Sequence, residues 1–223
     1  MMDWTLLENA ERVAQTTCLR IIDAASEAVA QRGRFSLVLA GGRTPRMSYE
    51  LLAQQVSDWG RWHLYFGDER CLPADHPERN SLMVAQSLSS MVPIPTAQIH
   101  PIPAELGPEQ AARRYAETLK AVLPFDLVLL GLGEDGHTAS LFPGQNHPRG
   151  LSVVPVHNAP KPPPDRVSLS AATLGNCRHL IFVVTGEGKQ LAVRRWRRGE
   201  DLPASRIKPT KRGEILIDRH VLP

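Results

Sequence analysis

Residues 125–144, FDLVLLGLGEDGHTASLFPG, restrict the fold more than any other part of the chain. The segment opens with Phe125 and the apolar block 127–130, then breaks off into glycines and acids. An apolar run of this length, bounded by glycine, fits a strand covered on both faces, as in a parallel sheet. Ligands of such sheets lie just beyond the carboxyl ends of the strands. That position holds Gly131, Gly133, Glu134, Asp135, Gly136 and His137. A histidine beside a carboxylate, on a loop whose glycines let a ligand approach closely, marks the first place to look for chemistry.

The same loop satisfies G-x-G-x-x-G through Gly131, Gly133 and Gly136, the dinucleotide fingerprint. Three features reject that reading. Glu134 and Asp135 would face a pyrophosphate with negative charge. Pro143 comes too soon for the long crossover helix. No acid closes a following strand about 20 residues on, where the ribose would be held.

Three other apolar runs, 35–40, 62–67 and 179–184, also end in glycine or charge. FSLVLA (35–40) leads into Gly41-Gly42-Arg43-Thr44-Pro45 and a helical pattern over 46–55, with Thr44 suited to the N-cap and Pro45 to the first helical position. Free backbone N–H groups converge at such a turn and make an anion site, to which Arg43 adds a cation. A plain tight turn is an equally open reading. WHLYFG (62–67) ends in Asp68-Glu69-Arg70, either an exposed turn with an internal ion pair or a carboxylate and guanidinium over a crevice. HLIFVVTG (179–186) ends in Gly186-Glu187-Gly188-Lys189, then a helix to about Arg198. Lys189 is a second candidate phosphate contact, although the spacing is not that of a P-loop.

Elsewhere the pattern predicts a helix over 5–31 closed by Gly33, a loop over 71–80, and a helix capped by Asn80 that runs to about Ser90. A proline-punctuated connection (93–103) precedes a helix over 108–122. Strands are expected at 151–156 and 214–218, with a half-exposed strand at 166–170 after the rigid KPPPD loop (161–165). At 223 residues the chain reads most simply as one domain. Alternating strands and helices predict an α/β fold, a doubly wound, mostly parallel sheet with helices on both faces. The four loops then share one crevice.

Charge and cysteines narrow the function class. The net charge of +3 conceals a basic end: residues 189–223 hold ten Lys or Arg against four acids. A solvated helix face explains this better than a nucleic-acid surface. Cys18, Cys71 and Cys177 form no disulfide or zinc spacing, so a reduced cytoplasmic compartment is expected. No apolar run reaches about 18 residues, so no membrane partner is expected.

The shared crevice gathers backbone donors at Gly41, Gly42, Arg43 and Thr44, with Arg70 and Lys189, around an anion. Asp68, Asp135 and His137 remain for proton transfer. Excess positive charge over a glycine-rich rim indicates a phosphorylated small molecule. There is no G-x-S-x-G elbow, no HExxH and no clustered Cys/His set. Hydrolysis without a covalent serine or a metal needs water activated by a base, and histidine, with an ordinary pKa of ~6.5, suits that role.

GLGEDGHTASLFPG closely resembles the central motif of 6-phosphogluconolactonases. AGGRTP, GDERCLPADHPERN and VTGEGKQ resemble three further family motifs in the family's order, and together the four span 35–198. The resemblance implies an α/β fold shared with glucosamine-6-phosphate deaminases and hydrolysis of 6-phospho-D-glucono-1,5-lactone in the pentose phosphate pathway. It implies no metal or organic cofactor. His137 matches the base for the attacking water. Gly42, Arg43, Thr44, Arg70 and Lys189 match phosphate-holding positions, and Asp68 and Asp135 match acids near the reacting carbon. Gly41 and Gly136 accompany these as backbone contacts. Arg43 and Arg79 depart from the family, standing where serine is common.

Two rivals remain. A deaminase-like isomerase would need an acid paired with the histidine, which 138–143 (TASLFP) lacks. A non-catalytic sugar-phosphate sensor usually carries a helix-turn-helix module, for which the residues before 35 leave no room. The expected partner is a sugar-phosphate lactone, with no nucleic acid, and the chain is expected to be a monomer or weak homodimer.

Overall fold

A computed structural model of the chain describes residues 2–146, 148 and 150–222. The strands are β1 (Asp3–Leu7), β2 (Phe35–Leu39), β3 (Trp62–Phe66), β4 (Asp68–Arg70), β5 (Ile99–His100), β6 (Phe125–Gly131), β7 (Val153–Val156), β8 (Arg166–Leu169), β9 (Cys177–Val184) and β10 (Arg212–Asp218). Seven form one parallel sheet in the order β1-β10-β9-β6-β2-β3-β5. From β2 the chain winds outward through β3 to β5. It then returns to β6 on the other side of β2 and continues outward. The switch point between β2 and β6 is where a sheet of this kind opens a crevice at its carboxyl end.

Burial explains why the central strands read as uninterrupted apolar runs. Every residue of β2 is buried, as are the first six of β6 and seven of the eight in β9. Each fully buried Leu, Val or Phe contributes about 1.5–3 kcal/mol, so a strand carrying four or five of them is held firmly in the sheet. The helices are α1 (Ala10–Arg32), α2 (Arg43–Leu52), α3 (Asn80–Val84), α4 (Pro108–Leu119), α5 (Ala171–Gly175), α6 (Gln190–Arg197) and α7 (Pro203–Arg206). Helix α1 buries Val13, Thr17, Ile21, Ala25 and Ala28 on one face. Gly33 ends it at φ 70°, donating its N–H to the Val29 carbonyl at 2.9 Å. Among the described residues no helix is long and apolar enough to cross a membrane.

The structure adds β5, α5 and α7 to the elements expected from sequence, and it differs from that reading in five further places. The chain does not enter directly as a helix: residues 3–7 form β1, an edge strand paired only with β10. Helix α2 starts at Arg43 with Gly42 in the N-cap position, so Thr44 lies inside the first turn. Its hydroxyl instead meets Thr185 Oγ1 at 2.6 Å. Asn80 opens α3 and caps nothing; Glu69 accepts the N–H groups of Asn80 and Ser81, both at 2.8 Å. Asp68-Glu69-Arg70 is not a turn but a strand in a second, antiparallel sheet, β4-β8-β7. Within that sheet β8 is fully buried, not half-exposed.

Candidate active site

The loops after β2, β3, β6 and β9 surround a cleft of about 430 Å³ at the switch point. Gly41, Gly42, Arg43, Thr44, Asp68, Arg70, His137 and Lys189 all line it. Asp135 and Gly136 do not. Asp135 stands behind His137. Gly136, expected as a backbone contact to substrate, donates its N–H to the Gly133 carbonyl at 3.0 Å and lies against Leu202 at φ 91°. Its N–H is therefore committed to the loop.

The β2 end of the cleft is made of backbone. Tyr49 of α2 clamps the end of β2: its hydroxyl accepts from the Ala40 N–H and donates to the Ala40 carbonyl, both at 3.0 Å. Asn80 packs so tightly beneath Gly41 that any Cβ there would collide with its side chain. Gly42 takes φ 112°, a conformation L side chains rarely adopt. The first N–H groups of α2 have no partner within the helix and point out of its N-terminus, and Pro45 has none to offer. The cleft floor thus presents backbone donors and a helix N-terminus to an anion.

The β6 end is held closed around a side chain. Gly133 N–H donates to the His137 carbonyl at 2.7 Å, and Thr138 Oγ1 donates to the Gly131 carbonyl at 2.7 Å. A Cβ at Gly133 would fall inside the His137 ring, so only glycine leaves room for the imidazole. Phe142 covers the ring at a centroid distance of 4.7 Å. Asp135 Oδ1 lies 3.0 Å from the His137 backbone N–H and 2.5 Å from Nδ1. Partial burial opposes ionisation of Asp135, but the backbone and side-chain hydrogen bonds from His137 outweigh it and hold the carboxyl below its ordinary range. An ionised carboxylate only accepts, so Nδ1 is the nitrogen that donates to Asp135, and Nε2 is the one that accepts a proton in the neutral ring.

Between these ends lie Asp68, Arg70, Arg166 and the lysines. Ser140 Oγ donates to Asp68 Oδ2 at 2.6 Å, and Asn80 Nδ2 donates to the Asp68 carbonyl at 3.0 Å and reaches Oδ1 at 3.3 Å. Arg70 donates one Nη1 hydrogen to the Glu78 carbonyl, while its buried Nε has no acceptor among the described residues. Lys189 is half-buried. Desolvation lowers its pKa and Lys161 lowers it further, against Glu134 and Asp135. Lys161, which lines the cleft, pairs with the exposed Glu134 at 3.1 Å.

Arg166, at the start of β8, is the main residue that sequence reasoning missed. It lines the cleft although only 6% exposed. Its guanidinium donates to the carbonyls of Lys161, Pro162 and Pro163 at 3.0–3.1 Å and sits 5.6 Å from the Phe142 ring centroid. Burial lowers its pKa, with Asp68 raising it and Arg70 lowering it. The only signal in the sequence was a charge heading an otherwise apolar alternation, which reads as solvent-facing. Among the described residues no group of three or more His, Cys, Asp or Glu is placed to hold a metal ion.

Comparison with known proteins agrees with this arrangement. The chain is 36% identical over 201 residues to a 6-phosphogluconolactonase of Synechocystis sp., covering 84% of this chain and 82% of that protein. It is 40% identical over 196 residues to a human 6-phosphogluconolactonase, covering 80% and 75%. The crystal structure of a 6-phosphogluconolactonase from Thermotoga maritima superposes with a TM-score of 0.92 over 98% of this chain and 100% of that one, at 27% identity. The family model described as glucosamine-6-phosphate isomerases/6-phosphogluconolactonase matches residues 8–217, and the chain belongs to that family.

Proposed function

We propose that this chain hydrolyses 6-phospho-D-glucono-1,5-lactone to 6-phosphogluconate, the lactone-opening step of the oxidative pentose phosphate pathway. The observation that carries the proposal is the division of one cleft into an anion cradle after β2 and a locked His137–Asp135 pair after β6. The substrate needs both: a phosphate to hold and a carbonyl carbon to attack.

The phosphate lies against the α2 N-terminus with Arg70 and Lys189, leaving the lactone C1 toward His137. Nε2 of His137 takes a proton from water as the water oxygen bonds to C1. The tetrahedral intermediate then collapses: the bond from C1 to the ring oxygen breaks, and the proton on Nε2 passes to that oxygen. The product is the open-chain acid, which loses its carboxyl proton to solvent at neutral pH. Asp135 takes no proton; it fixes the tautomer and steadies the imidazolium between the two transfers. Both Asp68 oxygens are engaged by Ser140 and Asn80. That makes Asp68 a fixed charge that orients substrate hydroxyls and offsets Arg70 and Arg166.

The test is lactone opening with substrate generated in situ, product read by a phosphogluconate dehydrogenase couple and spontaneous hydrolysis subtracted. Saturable acceleration is expected. Turnover of glucosamine 6-phosphate with no lactone opening would support the isomerase reading instead, and sugar-phosphate binding with neither turnover would leave a sensor.

A further inference from the structure

A second charged cleft, of about 220 Å³, opens at the opposite, amino end of the sheet, between α1 and the starts of β6, β9 and β10. Five cations line it: Arg20 and Arg32 from α1, Arg178 from β9, and Lys211 and Arg212 at the entry to β10. Two buried carboxylates organise these cations. Asp126 accepts the N–H and Oγ of Ser36 on Oδ2, at 2.8 and 2.9 Å, and pairs with Arg32 through Oδ1 at 2.9 Å. Glu214 pairs with Arg20 at 3.1 Å and with Arg212 at 2.9 Å, and His179 Nε2 lies 2.7 Å from it.

This arrangement leaves one cation unpaired and another incompletely satisfied. Arg178 shares Asp126 with Arg32, but its Nε stands 3.5 Å from Oδ1, too far for a hydrogen bond, and this buried nitrogen has no acceptor among the described residues. Lys211 has no ion pair among the described residues. The β9–β10 register begins with Arg212 opposite His179, so Lys211, just before β10, enters at the level of Arg178. Like charges at matching positions of adjacent strands repel, and a buried guanidinium nitrogen without an acceptor costs free energy. A bound anion would relieve both.

We infer that this cleft is a second anion site, distinct from the catalytic cleft, and that it takes a small phosphomonoester or inorganic phosphate. Donors face it from two walls: Arg178 and Lys211 at the strand starts, and on the helix the guanidinium N–H groups of Arg20 beyond the Nε that meets Glu214. A tetrahedral phosphate has oxygens for both walls, whereas a planar carboxylate serves one guanidinium fork well. Asp23 and Glu27 also line the α1 side and would meet the hydroxyls of an ester, not its phosphate. The volume lies below the roughly 300–1,000 Å³ of sites for larger ligands, which restricts the occupant to inorganic phosphate or a short ester.

The test is calorimetric titration of the full chain with inorganic phosphate, then glycerol 3-phosphate, with acetate as the planar control. The wild-type chain should bind two phosphates, and the Arg178→Gln/Lys211→Gln variant one. That variant should keep lactone turnover within about twofold, which shows it to be folded. In the Arg70→Ala/Lys189→Ala background the second site should persist, and adding the Arg178 and Lys211 changes should weaken it at least tenfold. Phosphate binding that is indifferent to the Arg178 and Lys211 changes in both backgrounds would overturn the inference, however many sites the wild type shows. Acetate binding as tightly as phosphate would overturn the ligand class. These outcomes do not depend on the lactonase reading, which turnover tests separately.

Discussion

The two glycine-rich loops flanking the switch point share a composition and use it in opposite ways. In 41–44 the glycines keep the backbone open, so that N–H groups and a helix N-terminus face the cleft. In 131–137 they close the backbone on itself: the N–H groups of Gly133 and Gly136 both donate within the loop, and the outcome is one side chain held in place. The contrast follows from what each half must do. Holding a phosphate takes many donors of modest individual strength, whereas moving a proton takes one nitrogen with the right tautomer at a fixed place. Glycine serves the first by what it exposes and the second by what it leaves room for.

Substitutions can break this contrast at either end. The largest effect short of removing the base is expected at Gly133→Ala. Its Cβ would displace the His137 ring, so kcat should fall about 10²-fold or more while KM changes little, measured by steady-state lactone opening. Asp135→Asn should come next, at about 10- to 100-fold in kcat. Its amide oxygen can keep both contacts that Oδ1 makes, but it lacks the charge that steadies the imidazolium; an unchanged kcat would contradict the assigned role. At the other end Lys189→Ala should act through KM. Loss of a charge-assisted contact of about 1.5–3 kcal/mol corresponds to roughly 10- to 150-fold, with kcat nearly kept. Arg43→Ser should be the smallest, under about threefold in KM, because Arg43 is exposed and the backbone donors beside it remain.

A separate acid-stability prediction concerns the amino end of the sheet. Burial favours the neutral form of Glu214, yet His179, Arg20 and Arg212 hold its carboxyl down to about 2. A depressed carboxylate pKa contributes stability at pH values above its unfolded value, and that stability is lost as pH falls toward the folded one. Glu214→Gln should therefore be less stable than wild type at neutral pH. The gap should narrow between pH ~4.3 and about 2, as followed by thermal unfolding.

The strands that carry the site were legible because a strand buried on both faces is almost wholly apolar, the mutually bonded Ser36 and Asp126 being among the exceptions. Its end is then marked wherever glycine or charge begins, as at Gly41, Asp68, Gly131 and Gly186. His137, Asp135, Arg70 and Lys189 followed from those ends. Non-local pairing was not legible. Thr44 has the chemistry of an N-cap, but its hydroxyl goes to Thr185, 141 positions away. Asp68-Glu69-Arg70 looks too polar for a strand. It becomes one because β8 pairs with it and Glu69 is satisfied by Arg79 at 3.2 Å and by the amides of α3. Arg166 hid for the same reason, its burial made possible by three carbonyls of the proline-rich loop before it.

The central claim is that one cleft separates anchoring from proton transfer, and its most direct test is to compare His137→Ala with Arg70→Ala in the same lactone-opening assay. His137→Ala should lose about 10²–10⁴-fold in kcat with KM nearly unchanged, and Arg70→Ala should raise KM with kcat nearly unchanged. If His137→Ala retains full kcat, or if the two variants shift kcat and KM alike, the division of labour described here is wrong.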